Sequence, residues 1–247
     1  MTDTERFSEL LKLPPESMSV QSGVGTLSEK YLHALLKNFF EPDKSCHEVK
    51  VGRFTADILH SDNSITEIQT RSLNKLREKL EYYLLEGHKV RVVYPVPHRK
   101  WLIWLDPETG ETTSKRRSAK VGTIYDSLWE LYKIKYFLDW DNFSICLALI
   151  DVEDIKNLDG YGPKRKRRAT RYDRIPIALH DMITLCSPKD YSAFLPDGLP
   201  KTFTSSEFAR LAKIPIDTAY TAINILTYLE LVNPIGKRGR MKLYEIV

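Results

Sequence analysis

The stretch TADILHSDNSITEIQT, Thr55 to Thr70, decides how most of this chain is read. It divides into two short strand-like runs joined by the polar turn Ser61-Asp62-Asn63. Asp57 lies on the first run, Glu67 and Gln69 on the second. Residues i and i+2 of a strand share a face, so Glu67 and Gln69 point one way and Ile68 the other. A tight turn brings Asp57 across the hairpin toward that face. Two carboxylates this close repel one another in a low dielectric unless a proton or a cation lies between them. Mg²⁺ takes such oxygen ligands and keeps several waters. A metal-bound water is more acidic and can attack a phosphodiester. The plainer alternative is a solvated hairpin with two surface acids.

The flanking pattern supplies context. Upstream, Leu27, Tyr31, Leu32, Leu35, Leu36 and Phe39 recur at helical spacing and predict a helix over 27–40. Thr26 and Glu29 fit a capping box at its start, and Pro42-Asp43 ends it. Residues 1–25 read as a polar arm. Three strands are predicted over 47–52, 54–60 and 64–69, then a helix over 73–86 closed by Gly87. KVRVVYPV and KWLIWLD read as two strand-like runs separated by Pro97-His98-Arg99. A polar loop then leads to a helix over 123–138 and a strand over 143–150. The order is α, β, β, β, α, β with later additions.

The hairpin and this order resemble the PD-(D/E)xK phosphodiesterase superfamily, whose members have the restriction-endonuclease-like fold. The resemblance covers residues 20–105 and extends toward 155. It implies an α/β core, an αβββαβ mixed sheet flanked by helices, and a deoxyribonuclease dependent on Mg²⁺ or Mn²⁺. It implies Asp57 and Glu67 as the metal-binding acids, with the main-chain carbonyl of Ile68 as a further ligand. Gln69 stands where the family usually has the lysine that positions the attacking water, and Ala56 stands where its name has proline. Glu29 matches an acid found on the first helix of many members. Some members carry the lysine on the helix after the third strand, where this chain has Lys75 and Lys79; Lys79 is the better placed. Each has a structural alternative: Glu29 as a capping residue, Lys79 as a lysine on an exposed helix face.

Residues 159–184 contain GYGPKRKRRATRYDR and read as a basic linker or junction hairpin between a first domain, 1–158, and a second, 185–247. Short helices are expected over Asp181–Phe194. The second domain begins its clearest pattern at Thr204, where Thr204 and Glu207 form another capping box. Pro215 breaks the first helix, and Asp217 is a candidate cap for a second over 217–232. Strand-like NPI and MKLYEIV flank Gly236-Lys237-Arg238-Gly239-Arg240. This order resembles a winged helix-turn-helix, an α+β module. The resemblance implies double-stranded DNA as partner, with Thr218, Tyr220, Thr221 and Asn224 facing bases and Lys237, Arg238 and Arg240 touching phosphate. The second helix carries no Lys or Arg between Thr218 and Val232, so guanine readers are absent. A protein-contact or dimerisation module is the alternative.

Composition agrees with a soluble globular protein: 42% hydrophobic and 28% charged residues. No apolar run approaches the ~20 residues of a membrane helix, and the first residues lack the pattern of a secretory signal. Cys46, Cys146 and Cys186 form no CxxC pair, which fits a reducing, cytoplasmic setting without structural zinc. Cys46 and His47 are adjacent, and neighbours on a strand point to opposite faces. The net charge of +4 is uneven: Asp159–Val247 hold 15 Lys and Arg against 9 Asp and Glu. That excess suits a polyanionic partner. Neither a membrane nor a small-molecule cofactor is expected, and a homodimer stays open. The rival function is a non-catalytic DNA-binding regulator whose nuclease-like fold serves as a dimerisation platform.

Overall fold

An apolar run that stays buried on both faces organises the molecule. In the computed structural model, which describes residues 1–14, 27–157 and 170–247 (side chains of 27–30 and 170–171 excepted), Ile145 to Ile150 are all buried. Continuous apolar runs of this kind belong to parallel strands covered on both sides. They lie on β6 (Phe143–Asn157), in the large mixed sheet. Its other strands are β1 (His47–Val51), β2 (Phe54–Leu59), β3 (Ile65–Ile68), β4 (Val90–Leu105), β5 (Arg116–Arg117) and β7 (Thr170–Leu185). The order is β1-β2-β3-β4-β6-β7, with β5 added on β4. The first three form an antiparallel meander, β3, β4 and β6 run parallel, and β7 returns antiparallel.

Helices cover both faces. On one side α1 (Asp3–Leu11) and α2 (Leu27–Phe40) bury Phe7, Leu32, Leu35, Leu36 and Phe39 with Ile58, Ile68 and Val93. On the other, α3 (Arg77–Leu85) and α4 (Leu128–Lys133) bury Leu80, Leu84, Leu128 and Leu131 with Ile65, Val92 and Ile145. The αβββαβ order expected from sequence is the order α2-β1-β2-β3-α3-β4 found here.

Several expectations need correction. The polar arm contains a helix, α1, because Thr2 and Glu5 form a capping box and Phe7 is fully buried. The two runs either side of Pro97-His98-Arg99 are one strand with a register shift between Pro97 and Lys100. The Arg99 amide there donates to Asp151 Oδ1 (2.9 Å), so the bulge leaves this amide satisfied. The helix expected over 123–138 is only six residues of α-helix between two 3₁₀ turns. Residues 170–184, read as part of a linker or a junction hairpin, are strand, paired antiparallel with β6 along their length. The helices expected from Asp181 begin only at Pro188, as a 3₁₀ segment. Lys164–Arg168 and Thr26 lie outside the described residues.

Beyond β7 the chain forms β8 (Thr202–Thr204), α5 (Ser205–Ala212), α6 (Ile216–Tyr228), β9 (Val232–Arg238) and β10 (Met241–Ile246). The three strands make a second sheet in the order β8-β10-β9. The Thr204–Glu207 capping box is present. Asp217 stands inside the first turn of α6 rather than capping it, because the helix starts directly after Pro215. Phe203, Phe208, Ala222 and Ile223 join the same apolar cluster as Leu128 and Leu131. Among the described residues, no helix is long and apolar enough to cross a membrane.

Gly122 locks the loop after β5 onto the β4 bulge. Its amide donates to the His98 carbonyl (2.8 Å), and its own carbonyl bonds His98 Nδ1 (2.8 Å). A Cβ placed there would lie 2.0 Å from the Pro97 carbonyl oxygen, a main-chain atom. Gly122→Ala is therefore expected to destabilise by about 1–3 kcal/mol through overpacking. Thermal unfolding checks this; an unchanged melting temperature would show that the loop is not held at this point.

Candidate active site at the splayed hairpin

The ladder between β2 and β3 has only two registered pairs, Ile58 with Thr66 and Leu59 with Ile65. Beyond them the strands part, and side chains replace the missing ladder bonds. Asp57 Oδ2 accepts from the Ile68 amide (2.8 Å), and Glu67 Oε1 accepts from the Asp57 amide (3.4 Å). The two acids singled out from sequence are thus brought together by main-chain bonds.

Each flanking helix adds a basic side chain. From α3, Lys79 Nζ donates to Glu67 Oε2 (2.7 Å). From α2, His33 Nε2 donates to Asp57 Oδ2 (3.2 Å). One turn further along α2, Lys37 pairs with Glu48 of β1 (2.6 Å). Lys79 is therefore on the site, not on an open helix face. Gln69 is beside it, but its Nε2 donates to the Ser72 carbonyl (2.8 Å), at the entrance to the next helical turn. The backbone of Glu29 is in α2; its side chain lies outside the described residues.

The electrostatics separate the two acids. Glu67 is 1% exposed. Burial, then the Asp57 charge, push its carboxyl up to about 8, although Lys79 pulls the other way. Burial also raises Asp57, but the His33 bond and charge and the Ile68 amide outweigh it, so its carboxyl lies below the ordinary carboxylate range. The Tyr83 hydroxyl is buried without a hydrogen-bond partner among the described residues. Burial and both carboxylates raise its pKa.

Does this donor set fit a divalent cation? Among the described residues, no three His, Cys, Asp or Glu side chains are grouped as a metal cage. The set is instead two carboxylates and the main chain at Ile68. Magnesium is commonly held by one or two carboxylates with the remaining positions filled by water. Burial, then the Asp57 charge, raise the Glu67 pKa, a repulsion that positive charge relieves, and the Tyr83 hydroxyl, without a hydrogen-bond partner among the described residues, stands nearby. On that chemistry, Asp57 and Glu67 fit a hard cation completed by water.

His33 and Tyr83 escaped sequence reasoning. The signal for His33 was present: Glu29, His33 and Lys37 are spaced by four, a polar stripe beside the apolar face of α2. Tyr83 gives no such signal, since a tyrosine on the buried side of an amphipathic helix reads as core.

The residues proposed for DNA contact divide. Tyr220 is exposed, but Thr221 is buried at 7% exposure and its hydroxyl donates to the Asp217 carbonyl (3.0 Å). Thr221 is on the side of α6 that meets the core, with Ala222 and Ile225, so it cannot face a base. Asn224 accepts from Lys135 Nζ (3.1 Å), and Thr218 is half-buried. On the β9–β10 hairpin Lys237 and Arg240 are exposed, whereas Arg238 is held by Glu207 through bonds of 2.9 and 3.1 Å.

The chain belongs to the family described as "Domain of unknown function (DUF8091)", matched over residues 30–186. That span holds His33, Asp57, Glu67 and Lys79 and closes with β7. An "Uncharacterized protein" of Treponema pallidum (strain Nichols) is 31% identical over 222 residues, which is 90% of this chain and 87% of the relative. No solved structure matches the chain.

The raised Glu67 value has a measurable consequence. A group with a raised folded pKa contributes stability that is present below its unfolded value, here near 4.5, and lost as pH rises through about 8. Glu67→Gln cannot ionise and escapes that loss. Its melting temperature relative to the native chain should rise between pH 5 and pH 9 in EDTA. The expected gain is on the order of 1 kcal/mol or more, a few degrees in melting temperature. A difference that does not vary with pH would contradict the buried-acid reading.

Proposed function

We propose that this protein is a metal-dependent phosphodiesterase of PD-(D/E)xK type, acting on DNA and carrying a winged-helix module. The single observation that carries the reading is the convergence of Asp57, Glu67 and Lys79 where β2 and β3 part. The order α2-β1-β2-β3-α3-β4 supports it. So does the succession 3₁₀ turn, β8, α5, α6, β9, β10, which suits a winged helix.

Asp57, Glu67 and the Ile68 carbonyl would hold the cation. When bound, the cation supplies an acidified water and a positive charge beside the scissile phosphate. Asp57 is fit to stay ionised as a ligand, since His33 and the Ile68 amide hold its charge. Glu67 gives up its proton more readily once a second positive charge is near. The Lys79 ammonium, on a helix rather than on the strand, is placed to neutralise charge on the phosphate oxygens. Gln69, engaged with Ser72, orients the base of this helical turn and leaves the cationic role to Lys79.

One observation favours the rival reading, a non-catalytic regulator on a degenerate nuclease fold. The position of the usual catalytic lysine is occupied by Gln69, and its amide is turned to the backbone.

Purified protein with duplex DNA and Mg²⁺, Mn²⁺ or EDTA decides between them. Glu67→Ala should abolish metal-dependent cleavage and leave duplex binding intact. Lys79→Met should lower the rate by about 10²–10³, the usual effect of losing one preorganised stabiliser. Cleavage that survives Glu67→Ala would remove the hairpin as the active site. A native chain inert with every metal, beside an active Gln69→Lys variant, would give the regulator first place.

The basic hairpin has its own test. Lys237→Ala with Arg240→Ala should reduce the slope of log K against log[salt] for duplex binding by about 0.9 per lost phosphate contact. Adding Arg238→Ala should change the slope little, because Glu207 already neutralises Arg238. An unaltered slope in the double variant would mean that the hairpin does not grip phosphate.

A further inference from the structure

The outward side of α6 forms one wall of a cleft of about 480 Å³, with the β9–β10 hairpin opposite and Lys135, from the segment after α4, at one end. Tyr220, Asn224, Tyr228, Lys242 and Tyr244 also line it, and no carboxylate is among its lining residues. Lys135 is held in place from several directions. Its Nζ lies 5.0, 5.4 and 5.5 Å from the ring centres of Tyr132, Tyr136 and Tyr228 and donates to Asn224. Tyr228 is fixed in turn by its bond to Asp139 at the rim (3.2 Å). Tyrosine rings nonetheless remain open to solvent: Tyr220 is 53% exposed and Tyr136 54%.

We propose that this cleft binds an unpaired polynucleotide strand. Two observations separate that ligand from a duplex. First, two of the polar groups of α6 expected to read base edges are engaged elsewhere, the Asn224 side-chain oxygen with Lys135 and the Thr221 hydroxyl with its own helix. Second, the lining is rich in tyrosine rings, Tyr220, Tyr228 and Tyr244, beside the ammonium groups of Lys135 and Lys242. Bases that are not paired can lie on such rings, and the phosphates between them meet Lys135 and Lys242; this is how sequence-tolerant single-strand surfaces work. No described carboxylate pairs with either lysine, so their charge is available to an anion. The cleft is built from both sides of the sequence boundary at residue 186, and Lys135 completes it. A strand held there would be unpaired DNA or RNA, which share this chemistry.

The inference deepens the nucleic-acid half of the proposed function and does not depend on catalysis at Asp57 and Glu67. The test is fluorescence anisotropy of the full chain in EDTA with labelled oligo(dT), oligo(rU) and a mixed-sequence duplex. Tyr220→Ala should weaken binding of the single strand about tenfold and leave the duplex within about twofold. Tyr220→Phe should bind as the native chain does, which separates lost stacking from misfolding. Lys135→Ala with Lys242→Ala should reduce the salt slope for the single strand by about 0.7 per lost contact. Preference for one oligomer identifies the sugar. The proposal is overturned if neither oligomer binds, if Tyr220→Ala and Tyr220→Phe lose affinity alike, or if the duplex weakens as much as the single strand. Binding is read in EDTA, where metal-dependent cleavage does not run. An inert hairpin therefore leaves this cleft standing, and an empty cleft leaves the hairpin chemistry to its own assay.

Discussion

Where β2 and β3 separate, the Ile68 amide is bonded by a side chain instead of a neighbouring strand. A buried amide left unpaired costs about as much as a lost hydrogen bond, so a sheet cannot open without a substitute acceptor. Asp57 Oδ2 is that substitute, and Glu67 Oε1 accepts in return from the Asp57 main chain. The two carboxylates are in this way part of the sheet itself. Their separation is set by the ladder and not by flexible side-chain choice. Helices α2 and α3 then bring in charge from opposite faces, His33 to one acid and Lys79 to the other.

Much of this was legible in the sequence because it rests on short-range pattern. The apolar spacing of 27–40 is local, and so are the two short runs either side of the SDN turn that carry Asp57 and Glu67. What escaped the sequence was settled at longer range. The short tracts at Pro97-His98-Arg99 look like a break, but Asp151, fifty-two positions on, satisfies the bulged Arg99 amide and keeps the strand continuous. Residues 170–184 look like linker because charges interrupt them. Pairing with β6 overrides this, and Asp154 holds Arg174 through two bonds of 2.8 and 3.2 Å. His33 was hidden for the same reason. Its role depends on β2 lying under α2, which the helical period alone does not reveal.

The C-terminal elements add a second constraint. The apolar cluster passes from Leu128 and Leu131 of α4 to Ala222 and Ile223 of α6 without interruption. Buried apolar area of this kind resists separation, and the bonds Lys135–Asn224 and Tyr228–Asp139 fix the rotation of α6 over it. The second sheet is thus oriented relative to the first. For a protein proposed to act on DNA, this means that the surface engaging the strand and the hairpin carrying the acids keep a set relation.

The displacement of the basic group from strand to helix has a physical logic on the proposed reading. A lysine at position 69 would share a face with Glu67, but the chain turns there into the 3₁₀ segment Leu73–Leu76, and the Gln69 amide ties that turn to Ser72. A long charged side chain at 69 would have to leave this contact. Lys79 reaches the same carboxylate from α3, which packs on the face where Glu67 points, and its ammonium is only partly exposed. With no cation bound, Lys79 is the positive charge that offsets Glu67. A cation held by Asp57 and Glu67 would supply positive charge to these acids, and Lys79 would then be free to meet a phosphate oxygen. One lysine can therefore serve the empty site as a structural counter-charge and the loaded site as a phosphate ligand. This exchange requires it to come from a separate element and not from the strand that holds the acids.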